Sequence, residues 1–512
     1  MMRDVYASAE KVIIWLGDTD EESDLVFDTL PVLAARSHHP RDEQDKKLVD
    51  AVRLCSGFFS GLVDRRPWFS RVWVIQELAV ARQDPLVVCG SKSVTWSTLM
   101  RATAFVSRKV FTDIGMVRRK PREDDSQNAV GNSSMGDPFW GEEEIEILAK
   151  WKVDVLDDLY KSMKTQGGES LWRLLLISRT SQATDPRDRI YALLGLLKPD
   201  ASDPQTSGDS IIVDYRKPTA EVYADAMAYI FAQGDGPYFL SGVFLTGISA
   251  PAPHIPSLPS TILQPPLPSW VPDFTRQVGE KATQPAGTLF HPPAGISASG
   301  PGAGCDNGRR LGDKKTLQVE GLFVDTIEDV VFLGESFDTY LDQLAHVESL
   351  AEIARQRPYL LEPAARPHME RYRTTEPLWK ILISNKSFLS GYDPAPAPYE
   401  AMYETRANRD QKNEYMESLE SNVGKQSFFT TTSGFVGTCA PGSRRGDVIA
   451  ILFGSPVPFV LRPQLETIRT AKGEKPTHCL VGASYVGGIM NGEMVDELYC
   501  EDLMDSTTYF IR

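Results

Sequence analysis

The sequence predicts an α/β fold in its first 120 residues, a mainly helical middle region and a small all-β module at the C-terminus. The chain has 512 residues, enough for about three domains at roughly 100–200 residues each. Near the start, short apolar runs alternate with helical periodicity, which is typical of a parallel sheet flanked by helices. Near the end, short runs rich in β-branched and aromatic residues alternate with glycine, proline and aspartate turns, which indicates an all-β module.

The elements of the first region follow from its apolar pattern. The run Val12–Leu16 ends at Gly17 and predicts a buried strand, and the run Leu86–Cys89 predicts another. Between and after these strands, apolar residues recur at helical spacing. It predicts a helix after Asp18 that Pro31 kinks or splits, a helix over Lys46–Leu62, a helix from Pro67, and a helix from Trp96 to about Val110.

The rest of the chain divides by composition. Eight prolines lie between positions 250 and 272, which predicts an extended connector. Its apolar residues, among them Trp270, indicate that it packs on a domain. The predicted domains are a partial α/β domain over 1–120, a loop or linker over 121–145, a helical region over 146–249, the Pro/Gly-rich connector over 250–313, a mixed and mostly helical region over 314–425, and the β module over 426–512.

Charge and cysteine usage narrow the function classes. The formal net charge is −15, which disfavours nucleic acid and anionic membranes as partners, because phosphate attraction needs a basic surface. The six cysteines form no C-x-x-C pair, which predicts free thiols, no metal site and a reducing compartment. The N-terminus lacks the apolar core of a signal peptide, and no apolar run is long enough to span a bilayer. The sequence therefore predicts a soluble cytoplasmic protein.

Most standard catalytic signatures are absent from the sequence. There is no P-loop, no H-E-x-x-H zinc motif and no nucleophile elbow. The acidic pair Asp157-Asp158 is predicted to be a solvated helix face. Asp185-Pro186-Arg187-Asp188 has the N-cap, N1 proline and N3 acid of a helix start.

One segment, Arg65 to Arg82, combines aromatic, acidic and basic residues on a predicted helix. Trp73 and Glu77 are four residues apart, so they share a helix face. A half-buried carboxylate beside an aromatic ring could serve a nucleotide or sugar substrate by acid/base work or hydrogen bonding. The alternative is a structural pair in which Arg71 or Arg82 neutralises Glu77 at the helix end, and spacing alone leaves both open.

Several blocks resemble the HET (heterokaryon incompatibility) domain proteins of filamentous fungi. The first two blocks are Tyr6-Ala-Ser-Ala with Val12-Ile-x-Trp15-Leu-Gly17, and Arg66-Pro-Trp-Phe-x-Arg-Val-Trp-Val-Ile-Gln-Glu77. Later blocks at Ala183–Gly195, Leu267–Asp273 and Gly446–Glu493 also fit proteins of this family. The resemblance implies a role in fungal non-self recognition, in which an incompatible pairing triggers localised cell death.

HET domains in turn resemble TIR domains, some of which cleave NAD+ with a glutamate in a Trp-x-x-x-Glu pattern. Trp73 and Glu77 have that spacing. The resemblance therefore implies a TIR-like fold, with Glu77 as the candidate catalytic residue and Trp73 as a candidate for substrate stacking or for the core. NAD+ would be a substrate, with no bound cofactor.

The sequence departs from the family at its start. HET domains begin with a Ser-Tyr-x-Trp-Gly-like block and a Trp-Ile-Asp-x-x-Cys-Ile-Asn-Gln-like block, and neither is present. The partial HET domain over 1–120 is therefore expected to be N-terminally truncated relative to the family. Missing strands would expose an unpaired sheet edge and would remove part of any nucleotide pocket, which would compromise NAD+ cleavage.

Two functional hypotheses follow, and the sequence does not separate them. The first is a cell-death effector with NAD+ glycohydrolase-like chemistry at Glu77. The second is a non-enzymatic signalling or assembly protein, or an inactive remnant, whose partner is a protein from an incompatible allele or a second copy of the chain. An unrelated enzyme is disfavoured because no catalytic signature is present.

Overall fold

The computed structural model describes most of the chain in two compact units. The first unit is Met1–Thr206 with Gln277–Thr283, and the second is Ser207–Arg276 with Gln284–Arg512. The described residues are 2–36, 55, 66–113, 140–179, 181–198, 211–242, 266–275, 297–300, 308–334, 336–359, 361–386, 394–405, 413–471 and 473–512. The predicted linker lies outside these residues up to position 139, and its last residues, 140–145, are helical instead. Most of the predicted helix over Lys46–Leu62 and much of the connector also lie outside the described residues.

The first unit is a small sheet with helices. Its strands are β1 (Ile13–Trp15), β2 (Leu86–Cys89) and β3 (Lys92–Thr95). Its helices are α1 (Met2–Ser8), α2 (Glu21–Arg36), α3 (Trp73–Ala79), α4 (Trp96–Asp113), α5 (Trp140–Gln166), α6 (Leu171–Ile177) and α7 (Asp188–Tyr191), with 3₁₀ turns at Pro67–Ser70 and Leu194–Leu196.

The sheet of the first unit has the order β1-β2-β3, with β1 parallel to β2 and β2 antiparallel to β3. One face carries Ile14, Val87 and Val94, which are buried, and α2 and α4 pack together and on this sheet. The helix α2 runs through Pro31 as one element, so it is not split in two. Both predicted strands are confirmed as elements, and the coarse α/β prediction is correct. The prediction that the first strand is buried is wrong for Ile13 and Trp15, which are exposed, and right for Ile14.

The second unit combines helices with long strands. The helices are α8 (Thr219–Ala232), α9 (Gly236–Gly242), α10 (Phe337–Arg355), α11 (Arg366–Thr375), α12 (Leu378–Leu382), α13 (Pro398–Glu404) and α14 (Glu414–Ser421), with a π-helical turn at Val495–Tyr499. The strands are β4 (Arg309–Arg310), β5 (Leu317–Phe332), β6 (Ser427–Thr431), β7 (Val436–Cys439), β8 (Val448–Leu452), β9 (Phe459–Thr470), β10 (Gly473–Val486) and β11 (Thr507–Ile511).

These strands close on themselves. Antiparallel pairings run from β5 through β6, β7, β10, β9 and β8 and back to β5, and β11 joins β5 to β10. The long strands β5 and β10 contain register shifts, which let a strand bend and change its pairing partner. Buried side chains from five strands meet in one cluster, namely Leu322, Phe429, Ile451, Val460 and Val481.

The connector packs on this unit where it is described. Trp270 has no exposed surface, and its indole N–H donates to the main-chain oxygen of Lys315 at 2.9 Å. The Ser269 hydroxyl accepts from the main-chain N–H of Leu480 at 2.9 Å. These contacts confirm the expectation that the segment around Trp270 lies against a domain. No helix in the described parts of the chain has the length and apolarity needed to cross a membrane.

Candidate functional site

The segment that carries Trp73 and Glu77 is anchored by main-chain pairing to a distant part of the same unit. A 3₁₀ turn with a proline at its start, Pro67–Ser70, precedes α3. The main-chain N–H of Val72 donates to the oxygen of Gln182 at 2.9 Å, and the N–H of Gln182 donates to Ser70. The Arg66–Glu77 block therefore lies beside the chain that leads into the Asp185–Asp188 block.

Glu77 is enclosed by two aromatic side chains. It is 9% exposed, and its Oε2 accepts a hydrogen bond from the indole N–H of Trp68 at 3.3 Å. The Tyr6 side chain on α1 lies close enough to Glu77 for the two groups to interact. Burial raises the pKa of Tyr6, and the neighbouring charge of Glu77 raises this pKa further. Glu77 is therefore an acceptor for an aromatic donor.

Trp73 shares α3 with Glu77 but bonds elsewhere. Its indole N–H donates to Oδ2 of Asp188 at 3.2 Å, and its ring is half-buried. The predicted helix start at Asp185 is shifted, because α7 begins at Asp188. The Asp185 carboxylate instead accepts from the Arg187 main-chain N–H at 3.0 Å and from its guanidinium at 2.9 and 2.7 Å.

The arginines considered as partners for Glu77 are Arg71 and Arg82. Arg71 and Arg82 are both exposed, and no ion pair among the described residues joins either of them to Glu77. An indole N–H and a phenol occupy the positions around the carboxylate instead. The pair between Glu77 and an arginine is therefore not formed. Glu77 instead contacts Trp68 and Tyr6 within the same unit.

Trp68 belongs to an aromatic cluster. The Trp68 ring contacts the Phe69 ring edge-on, with centroids 5.0 Å apart, and the Trp96 ring with centroids 6.3 Å apart. The Trp96 indole donates to Oδ1 of Asp157 at 2.9 Å. The prediction of a solvated acidic pair is thus wrong for Asp157, which is buried, and correct for Asp158, which is exposed. Trp96 lies on another helix, 61 residues before Asp157 in sequence. The residues around Asp157 therefore give no indication of this hydrogen bond.

The later block approaches α3 closely at Gly195. A Cβ on Gly195 would lie 2.1 Å from Nε2 of Gln76 and 3.1 Å from the Arg3 side chain. Gln76 is buried, and its Oε1 has no hydrogen-bond partner among the described residues. Gly195 therefore brings the Ala183–Gly195 block into contact with α3, through Gln76, and with α1, through Arg3. Both helices carry residues that surround Glu77. Among the described residues, no cluster of His, Cys, Asp and Glu could hold a metal ion.

The fold thus defines a chain with an α/β unit and a β-barrel unit, and the comparisons with known proteins identify its family. Residues 1–77 match the family model "Heterokaryon incompatibility protein (HET)", and residues 364–504 match the "Het-6 beta-barrel domain". The chain is a fungal HET domain-containing protein. The strand β5 and the strand β11 lie outside the barrel match, although both pair within the barrel.

One relative matches nearly the whole chain. It is "Heterokaryon incompatibility protein 6, OR allele" of Neurospora crassa, which is 21% identical over 570 aligned residues. The alignment covers 98% of this chain and 79% of the relative. No solved structure matches the chain. The HET match and this relative support a role in fungal incompatibility.

Proposed function

We propose that the protein acts in fungal incompatibility as a non-enzymatic signalling or assembly protein. The single observation that favours binding over catalysis is the environment of Glu77. A catalytic carboxylate must reach its substrate directly or through one water, whereas Glu77 is 9% exposed, accepts a hydrogen bond from Trp68 and lies beside Tyr6. In this proposal Glu77 holds α1 and the turn at Pro67–Ser70 together.

The proposal includes a partner, a place and an outcome. The partner is a protein from an incompatible allele or a second copy of this chain, and the net charge of −15 disfavours nucleic acid. The protein acts in the cytoplasm, and the outcome is localised cell death. No cofactor takes part.

TIR-like cleavage of NAD+ at Glu77 is the second candidate. It is favoured by α1, which has no buried residue and would uncover the carboxylate by moving Tyr6 aside. The half-buried ring of Trp73 would then stack on the substrate. Water would replace nicotinamide at the ribose carbon and would lose one proton to solvent. Nicotinamide would leave with the bonding electron pair, and the Glu77 carboxylate would stabilise the cationic sugar.

The variant Glu77→Gln separates the two candidates. Glutamine keeps a side-chain oxygen that can accept from Trp68, so the fold should survive, and an unchanged melting temperature checks this. Asp158→Asn is the matched control, because it removes an exposed carboxylate of the same unit. NAD+ content and cell death are measured in a filamentous fungus that expresses each form.

The binding proposal expects equal NAD+ and equal cell death for the wild type, Glu77→Gln and Asp158→Asn. The opposite result is NAD+ loss in the wild type and in Asp158→Asn but not in a folded Glu77→Gln. That pattern would overturn the binding proposal and establish NAD+ cleavage at Glu77.

A further inference from the structure

A short piece of the connector is bound to the barrel unit as a separate turn. This connector turn, residues 297–300, has the sequence Ser-Ala-Ser-Gly. The main-chain N–H groups of Ala298 and Ser299 donate to the oxygens of Pro456 and Ser455 at 3.0 and 3.1 Å. A further hydrogen bond of 3.0 Å, from the last N–H of the segment to its first main-chain oxygen, closes the turn. The chain thus carries a short peptide that its own barrel unit binds through the main chain.

The connector turn is built from small residues, and its position demands them. Ala298 has no exposed surface and belongs to the apolar cluster of the barrel. Ser299 is also buried. Gly300 has a left-handed φ of 57°, which favours glycine, and a Cβ on Gly492 would lie 2.8 Å from the Cα of Gly300. The barrel therefore selects small residues at the second and third positions of the turn and glycine at the fourth.

The surface that receives the connector turn is ordered by hydrogen bonds of its own. The Ser455 hydroxyl donates to the main-chain oxygen of Val457 and accepts from the N–H of the same residue. In a second loop, the N–H of Asp496 donates to the oxygen of Gly492 at 2.8 Å. Both loops, 455–457 and 492–496, lie within the residues that match the barrel family model, whereas the connector turn lies outside that match. The barrel therefore supplies a preformed site, and the connector turn occupies it as a ligand would.

We propose that these two loops are a peptide-binding site of the barrel unit, occupied in cis by the connector turn. The partner that the site fits is a protein that presents the same turn, in which small residues are followed by glycine. Main-chain hydrogen bonds give such a site its affinity, and the pocket for a small side chain gives it specificity. The inference rests on the proposed binding function, for which it names a site and the chemistry of the partner.

The connector turn controls access to this site. A segment on a short flexible tether has an effective concentration of about 1 mM, so it excludes a free peptide that is present at a lower concentration. A turn of this length also buries much less than the roughly 800 Å² per partner of a stable interface. Binding of a peptide in trans is therefore weak, and it becomes measurable when the connector turn is displaced.

The first test separates a bound turn from an integral part of the core. Ala298→Arg places a long charged side chain at a fully buried position, and Gly300→Val disfavours the left-handed backbone. In hydrogen exchange read by mass spectrometry, the turn should lose its protection in both variants while β8 and β9 keep theirs. The melting temperature should stay close to that of the wild type. Ala450→Arg, at an equally buried alanine within β8, is the comparison and should unfold the barrel unit.

The second test measures binding in trans. The probe is a synthetic peptide of residues 295–302, Gly-Ile-Ser-Ala-Ser-Gly-Pro-Gly, at about 1 mM, which matches the effective concentration of a short tether. Saturation-transfer NMR should show contact between the methyl groups of the peptide and the variants Ala298→Arg and Gly300→Val. The signal should be several-fold above that of the wild type. The matched control is the same peptide with arginine in place of its alanine, which should give no such increase.

Two results would overturn the inference. One is unfolding of Ala298→Arg and Gly300→Val in the way that Ala450→Arg unfolds, which would make the turn part of the core. The other is a peptide signal that exceeds neither that of the wild type nor that of the arginine control. These failures are distinct from a failure of the proposed function. Cell death with NAD+ intact but without peptide binding contradicts only the peptide site, and Glu77-dependent NAD+ loss contradicts only the binding function.

Discussion

Replacing Lys386 with methionine should stabilise the barrel unit, and the gain should be largest at neutral pH and below and should fall as the pH rises above 7. Lys386 follows α12 and lies after Ser384 and Asn385, whose φ angles of 51° and 53° are left-handed. Its Nζ is out of contact with solvent and has no hydrogen-bond partner among the described residues. Burial lowers the pKa of Lys386 to about 7, because an unpaired ammonium is costly in an apolar environment.

The size and sign of the effect follow from proton linkage. In the unfolded chain the amine has a pKa near 10.4, so between about pH 7 and pH 10 the unfolded state holds a proton that the folded state lacks. Stability from this group therefore rises with pH, by about 1.4 kcal/mol per pH unit. The shift from 10.5 to about 7 corresponds to a penalty of about 5 kcal/mol well below pH 7 and about 4 kcal/mol at pH 7. Methionine has a similar volume and carries no charge to desolvate.

The assay is urea unfolding of the wild type and Lys386→Met at several values between pH 7 and pH 9.5. The variant should be more stable by several kcal/mol at pH 7, and the difference should shrink steadily as the pH rises. Lys475→Met, at an exposed lysine of the same unit, is the control and should change stability by less than about 0.5 kcal/mol at every pH. A difference for Lys386→Met that does not change with pH would refute the reasoning.

Two further predictions concern the aromatic residues of the first unit. Trp96→Phe keeps most of the ring but removes the donor to buried Asp157, so it should cost about 1–3 kcal/mol in urea unfolding; a neutral effect would show that Asp157 is satisfied otherwise. Trp73→Phe should cost only about 1 kcal/mol, through loss of the bond to Asp188. Trp73→Ala should fall below the roughly 3–5 kcal/mol of a fully buried ring, since Trp73 is half-buried, and a larger loss would place it in the core.

Local elements were predictable from the sequence where apolar runs and turn residues agree. The run Leu86–Cys89 ends at Gly90 and forms β2 over the same residues, and Val448 begins β8 as predicted. Closure of the barrel was not predictable in this way. The strand β5 pairs with β8 and β11, which lie more than a hundred residues later, and five helices intervene between β5 and β6. Such pairings depend on long-range packing that no short window of sequence contains.

The site shows why the role of Glu77 does not follow from its spacing. Helical geometry places Trp73 one turn before Glu77, and this (i, i+4) relation favours contact between their side chains. The Trp73 indole instead bonds to Asp188, 115 residues away in sequence. Trp68, in the 3₁₀ turn before the helix, donates to Glu77 in its place. The Trp-x-x-x-Glu spacing is therefore satisfied here by a tryptophan that stabilises a tertiary contact and a glutamate that accepts from a different tryptophan. The same spacing is compatible with a catalytic pair or with a packing pair. The two roles are distinguished by the hydrogen-bond partners of Trp73 and Glu77, which spacing does not reveal.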